Sequence, residues 1–364
     1  MKYIGKSDYN HATVEKLGVL ITNLGTPDEA TPSALKKYLA EFLWDPRVVE
    51  FPRPLWWLVL NLIILQIRPK RSAATYAKIW TDQGSPLMVN TKAQLKELQQ
   101  KFSGSNIEID IAMRYGSPSI ESALLNMQNK NVTRLLVLPL YPQYSGSTTG
   151  STFDAVANVF KKLRWMPELR FINQYADNDQ YIEACADRIK QYWSKQNKSQ
   201  VLLFSFHGLP KRYLLAGDPY HCQCYKTARL IAEKLELQDD QWKLTFQSRF
   251  GREEWLQPYT DKTLEAMPQL NIKSVDVFCP GFSADCVETL EEIDMLNRDI
   301  FMQAGGESFN YIPALNDADK HIDALYGLIV NHLQGWSSTR ESNDKAVQEK
   351  QLQQQLAKQL GAGQ

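Results

Sequence analysis

Several things are missing from this sequence, and each absence removes a class of protein. Neither charge is in excess: 41 basic side chains stand against 41 acidic ones. That argues against a nucleic-acid-binding protein, whose affinity rests on basic surface. No apolar run reaches the roughly 20 residues that a membrane-spanning helix needs. The opening MKYIGKSDYNHATVEK has no apolar h-region, so export is not expected and the cytoplasm is the default. Cysteine is scarce and odd in number, five residues in a chain of 364 (Cys185, Cys222, Cys224, Cys279 and Cys286), which reads as reduced thiols rather than a disulfide framework. The one close pair, Cys222 and Cys224 behind His221, has no second pair to complete four ligands, so a structural metal or cluster site is not expected there. Walker A and GxGxxG spacings are also absent, and the Gly/Ser/Thr-rich loop YSGSTTGS at 144–151 is at best a weak phosphate cradle.

What is present is a repeated alternation of short apolar runs and helical patterns. Strands are expected at about 17–24, 107–113, 135–140, 169–172, 201–206, 243–247, 275–278 and 309–312, with helical segments between them. This rhythm predicts an α/β fold of parallel sheets with right-handed crossovers, in two similar halves joined near 173–178. The length also favours two domains. Thr31-Pro32 reads as an N-cap with proline at the first helical position. Residues 54–71, PLWWLVLNLIILQIRPKR, hold an apolar stretch too short to span a bilayer. Such a helix is either buried in the core or laid in a lipid interface, with Arg68, Lys70 and Arg71 suited to anionic groups. The tail after 336 is rich in Lys, Glu and Gln and predicts a frayed helix or less.

The chemistry concentrates at VLLFSFHGLP, residues 201–210. An apolar strand stops at His207-Gly208, and Pro210 bars further pairing. In open α/β sheets ligands bind beyond the carboxyl ends of the strands, although a histidine there can also be a core residue satisfied by backbone. A second constellation, PGFSADCVETLEEID at 280–294, leaves the next strand but one. Asp285, Glu288 and Glu292 stand at i, i+3 and i+7, the spacing of one helical face. The competing reading is a capping box, Asp285 with Glu288, favoured by the helix dipole. A neutral imidazole with carboxylates binds divalent first-row metals, and two protein ligands hold such an ion loosely enough to hand it on. Phe246–Gly251 (FQSRFG), Trp255, Tyr115 and Phe282 add flat apolar surface, so the crevice suits a flat, apolar macrocycle receiving a metal.

With LPLYPQYSGSTTGS, SFHGLPKRY, GDPYHCQC, FQSRFG and DCVETLEEID in this order, the chain resembles the ferrochelatase family from Leu17 to about Leu333. The resemblance implies two Rossmann-like domains, each a parallel sheet flanked by helices, with a porphyrin cleft between them. It divides the chain into 16–174 plus 309–335, 175–308, and a polar tail 336–364. It implies insertion of Fe²⁺ into protoporphyrin IX with release of two protons, the terminal step of haem synthesis. His207 and Glu288 match the catalytic and metal-handling residues, with Asp285 and Glu292 behind them as an oxygen path. Arg68, Tyr76, Ser85, Arg114, Tyr115, Gln247, Trp255 and Phe282 match porphyrin-pocket positions, the two arginines toward the propionates. Leu24, Phe206 and Gly208 depart from the coproporphyrin type and point to protoporphyrin.

No resident cofactor is expected, Fe²⁺ being a substrate. No [2Fe–2S] cluster is expected either, since the last cysteine is Cys286, at a position where animal enzymes carry histidine. The resemblance also implies peripheral membrane contact through 54–65, on the inner face of the cell membrane. Rival readings are a tetrapyrrole or metal carrier without chemistry, and a cobalt or nickel chelatase acting on another tetrapyrrole.

Overall fold

The computed structural model describes residues 3–6, 13–251, 253–336 and 340–361. Four strands, β1 Lys16–Thr26, β2 Ile107–Gly116, β3 Val132–Pro139 and β4 Glu168–Phe171, form one sheet in the order β2-β1-β3-β4. Four more, β5 Val201–His207, β6 Trp242–Gln247, β7 Ser274–Phe278 and β8 Ser308–Ile312, form a second in the order β6-β5-β7-β8. Every pairing is parallel, as the βα alternation requires. The two sheets share one topology: the first strand of each lies between the second and the third. Each half therefore has a switch point beside its first strand, where the connections leave in opposite directions and a crevice opens.

The central strands are apolar without alternation because helices cover both faces. Val201 through Phe206 are all buried, and β5 aligns Phe206 with Phe246 and His207 with Gln247. On β1, Val19, Leu20 and Ile21 are fully buried. Thr31 caps the Pro32–Trp44 helix, its Oγ1 accepting from the Ala34 amide.

One boundary is corrected. The strand at 309–312, assigned to the first domain from the sequence, pairs residue for residue with β7, Phe278 opposite Ile312, and belongs to the second sheet. Its apolar residues Phe309 and Tyr311 fill the cluster of Val275, Val277 and Phe301. The chain meets the first half again from Asn316 onward: Gln94 donates to the Asn316 carbonyl, Asp323 of the Asp319–His332 helix pairs with Lys101 at 2.6 Å, and beyond that helix Arg170 Nη1 donates to the carbonyls of His332 and Gln334 and Trp336 Nε1 donates to Glu168. The tail forms a helix, Arg340–Gln359, with Lys350 paired to Glu15 at 2.8 Å. Residues 337–339 and 362–364 lie outside the described part.

The apolar run at 54–65 is neither wholly core nor wholly surface. It winds as helix over Arg53–Val59, a π-turn over Leu60–Ile64, and helix again over Leu65–Ile79. Leu60 and Leu65 are buried against Leu35, Tyr38 and Leu39. Leu55, Trp57, Leu58, Leu62, Ile63 and Ile67 are exposed, Leu62 at 64% and Ile67 at 68%. Among the described residues no helix is long and apolar enough to cross a membrane.

Candidate active site

The site is built on the switch point of the second sheet. His207 is the last residue of β5 and is half-buried, its Nδ1 2.6 Å from the Gly208 carbonyl. Gly208 donates its amide to the Gln247 carbonyl at 2.7 Å, and a Cβ there would stand 2.6 Å from that same oxygen. Only glycine lets the two strand ends close this tightly. Gln247, beside His207 in the register, is buried and saturated: it accepts from Ser205 at 2.7 Å and donates to the Glu288 carbonyl at 2.8 Å. A strand end bearing the imidazole is thus stitched to the backbone of the residue bearing the carboxylate.

That carboxylate rides on an unusual element. The helix after β7 is a π-helix over Glu288–Asn297, a form concentrated at functional sites. Glu292 accepts from the Ser248 amide at 2.7 Å and the Ser248 hydroxyl at 2.5 Å. Burial pushes the Glu292 carboxyl above its ordinary value and the Glu288 charge adds to this, while Ser248 and His207 pull it back. Glu292 therefore lies within electrostatic reach of both His207 and Glu288. Glu291, 7% exposed, pairs instead with Lys78 of the first half at 2.7 Å.

The facing wall comes from the first half. Burial pushes the phenols of Tyr38, Tyr76 and Tyr141 well above their usual range, and each also feels the Glu288 charge. An aromatic, weakly polar surface of the first half thus lies within electrostatic reach of Glu288. The Tyr141 hydroxyl is buried without a partner among the described residues. Phe250 of the second half packs against Trp255 at a tilt of 57°, ring centroids 4.9 Å apart, and meets the Arg68 guanidinium at 5.7 Å, which brings the apolar 53–79 segment against the rim of the site.

The family model for ferrochelatase matches residues 16–333. The ferrochelatase of Marinobacter nauticus is 57% identical over 339 residues, 92% of each chain. That of Idiomarina loihiensis is 58% identical over 340 residues, 93% of each, and that of Nitrosococcus oceani 55% over 371 residues, all of both. The chain belongs to the ferrochelatase family. It is a metal chelatase of the lyase class that inserts iron into protoporphyrin in the terminal step of haem biosynthesis. The solved structure of SirB from Bacillus subtilis with Fe³⁺ shares the fold, with a TM-score of 0.52 at 11% identity over 88% of this chain and 96% of that one.

Within this ferrochelatase fold the residues singled out from the sequence do not all gather at one place. His207, Gln247, Glu288 and Glu292 converge as described, and Tyr76 faces them. Phe282 packs with Leu87, Ala284 and Cys286. Trp255 is buried, and its indole N–H has no partner among the described residues. Ser85 is buried and accepts from Thr26 at 2.8 Å. Arg114 and Tyr115 turn inward. The Arg114 Nη2 pairs with Asp45 and its Nε donates to Ser151 at 2.6 Å, while the Tyr115 hydroxyl donates to Asp45 at 2.8 Å.

Asp285 departs from the sequence reading. The helix starts at Val287 and winds with the π period, so the 3.6-residue spacing does not align the three carboxylates. The Asp285 carboxylate instead accepts from Tyr311 at 2.5 Å, Asn316 at 2.7 Å and Thr289 at 3.1 Å. The capping box is not formed either, because the Asp285 amide donates to Asn316 Oδ1 at 2.8 Å. Nor does the Gly-rich loop offer free amides to a phosphate, since Gly146 N–H is taken by Asp218 at 2.8 Å. Cys224 is buried while Cys222, two residues away on the Tyr220–Lys234 helix, is exposed, so the pair does not converge on one ligand. Lys78, Ser248, Gln94 and Asn316 carry contacts that the sequence reading passed over. For Ser248 a signal was there, inside FQSRFG beside Gln247.

Proposed function

We propose that His207 and Glu288 divide the insertion between them, Glu288 handing over the ion and His207 receiving protons. One observation carries this division. Glu292 is spent on Ser248, whereas the half-buried Glu288 carboxylate takes no amide or hydroxyl donor among the described residues and meets only the weak donor thiol of Cys286. A carboxylate in that condition is free to replace water on a divalent ion. Insertion balances as porphyrin with two pyrrole N–H bonds plus Fe²⁺ giving iron porphyrin plus two protons. An imidazole at the rim accepts such protons in turn and passes them to solvent. The aromatic wall of Tyr38, Tyr76 and Tyr141 supports the flat ring on the opposite side, and Trp255 with Phe282 completes the apolar enclosure. Arg68, exposed at the mouth beside Phe250, has the geometry-tolerant planar cation that suits a propionate. Arg114 contributes from behind its pair with Asp45. The reaction needs no resident cofactor, because iron is itself consumed and no electron changes hands.

The exposed side chains of 55–67 extend this reading to delivery. Protoporphyrin partitions into lipid, and an apolar rim next to Arg68, Lys70 and Arg71 suits contact with an anionic membrane surface from the cytoplasmic side. The central test compares Glu288→Gln with Glu292→Gln in anaerobic Fe²⁺ insertion followed by absorbance. Glu288→Gln is expected to lose about 100-fold or more in turnover with its melting temperature intact. Glu292→Gln is expected to melt differently and lose less. Equal turnover in the two variants would sink the division of roles.

A further inference from the structure

The Glu288 helix is entered through Ser283–Asp285, and one residue far along the chain holds that entry from three directions. Asn316 lies in the loop after β8 with φ of 48°, a left-handed conformation that asparagine tolerates better than most residues. Its amide side chain pairs twice with Asp285: Nδ2 donates to the carboxylate at 2.7 Å and Oδ1 accepts the Asp285 N–H at 2.8 Å. Its backbone N–H donates to the Ser283 carbonyl at 3.0 Å. Its own carbonyl accepts from Gln94 Nε2 at 3.0 Å and lies 2.7 Å from His321 Nδ1. Gln94, fully buried on the Pro86–Lys101 helix of the first half, also donates to the Ser283 carbonyl at 2.9 Å. The same helix begins at the wall of the site, where Leu87 packs on Ala284 and Cys286.

We infer that Asn316 and Gln94 are positioning residues for metal insertion: they clamp the start of the Glu288 helix to the first half, and so set Glu288 at its distance from the porphyrin. This rests on the role proposed for Glu288. Neither residue touches the reacting atoms. The clamp is buried and directional, so it fixes a position rather than merely adding cohesion: four hydrogen bonds converge on Ser283 and Asp285, and a fifth ties Gln94 to the Asn316 carbonyl. A carboxylate that must meet an ion above a flat ring tolerates little displacement, because misplacement of about 1 Å is enough to cost on the order of 100-fold.

The test is Asn316→Gly, which keeps the left-handed backbone and deletes only the side-chain pair. The expected result is a fall of about tenfold or more in kcat/KM for Fe²⁺, with protoporphyrin binding by fluorescence quenching changed less than about twofold. Placed in a Glu288→Gln background and assayed at high enzyme concentration, Asn316→Gly should cause no further loss, since there is no longer a carboxylate to aim. If Asn316→Gly does not fold, Gln94→Leu, similar in volume and lacking the two donated bonds, carries the same expectation. An Asn316→Gly protein with lowered melting but unchanged kcat/KM for Fe²⁺ would reduce the clamp to plain stability and overturn the inference. So would equal losses in both backgrounds. An inactive Glu288→Gln beside an unaffected Asn316→Gly defeats this inference alone; a fully active Glu288→Gln defeats the role of Glu288 and this inference with it.

Discussion

The two halves of the molecule share one strand order and use their switch points in opposite ways. In the second half the rim beyond β5 and β7 carries His207 and Glu288, braced through Gln247 and Ser248. In the first half the corresponding rim is closed on itself. Asp45, 4% exposed at its side chain, gathers Arg114, Tyr115 and Ser151 into one inward network, and Gly25, with φ of 109°, brings β1 so close to β2 that a Cβ would collide with the Tyr115 carbonyl. One rim carries the residues proposed to react and the other carries rigidity. The difference teaches that the topology supplies a place for chemistry twice, while the side chains decide which copy is spent on holding the cleft wall and which on the reaction.

The largest effect is expected where the reactive rim is broken. His207→Ala should abolish Fe²⁺ insertion, while protoporphyrin still binds and the melting temperature shifts little, since His207 is half-buried and its ring contacts backbone next door. Turnover within a few-fold of the parent would move the reactive role away from this rim. The rigid rim should answer in the other way. Asp45→Asn leaves Arg114 without its counter-charge in a buried setting, a change that costs about 3–5 kcal/mol, yet turnover per folded molecule should be largely kept. Burial alone would raise the Asp45 carboxyl, but hydrogen bonds from Ser151, the Arg47 amide and Tyr115, with the Arg114 charge, hold it below its ordinary value. Its contribution is therefore complete above the unfolded value near 3.9 and is lost as pH falls through the lower, folded value. Acid unfolding profiles of parent and Asp45→Asn should differ at neutral pH and converge in strong acid. Parallel profiles would mean that the pair is not what stiffens this rim.

How much of this was legible in the sequence differs between the halves in the same sense. The strands and the reactive rim were readable because they are local: an apolar run ending in His207-Gly208, and an acidic helix after the next strand but one. The rigid rim was not, because Asp45, Arg114 and Ser151 meet only after folding, and a single arginine at a strand end says nothing of its partner. The strand at 309–312 was visible as a strand, yet periodicity does not say which sheet edge receives it. Asp285 was misread through an assumed 3.6-residue period where the helix winds as π. Asn316 and Gln94 gave no local signal at all; their partners lie on other elements.

The smallest expected effect on stability sharpens the comparison further, since it asks what the outer edge of the rigid half is for. Not every apolar side chain of the 54–65 run faces outward. The structure turns the Trp56 indole to the Leu43 carbonyl at 2.7 Å and buries Leu60 at 2% exposure, so these two belong to the wall, and Leu60→Ala should cost about 2–5 kcal/mol. The outward set is Leu62, Ile63 and Ile67. Replacing all three by serine removes little that is buried, and exposed substitutions of this kind stay within about 0.5 kcal/mol each, so melting should hardly move. If the face enters lipid, however, each lost apolar side chain forfeits about 1.5–3 kcal/mol of transfer. Binding to vesicles of mixed phosphatidylglycerol and phosphatidylcholine should then fall at least tenfold. The apparent KM for protoporphyrin supplied in those vesicles should rise, while kcat with detergent-dispersed porphyrin stays constant. Unchanged vesicle binding would confine the rigid half to its wall function and leave these side chains without a part in substrate delivery.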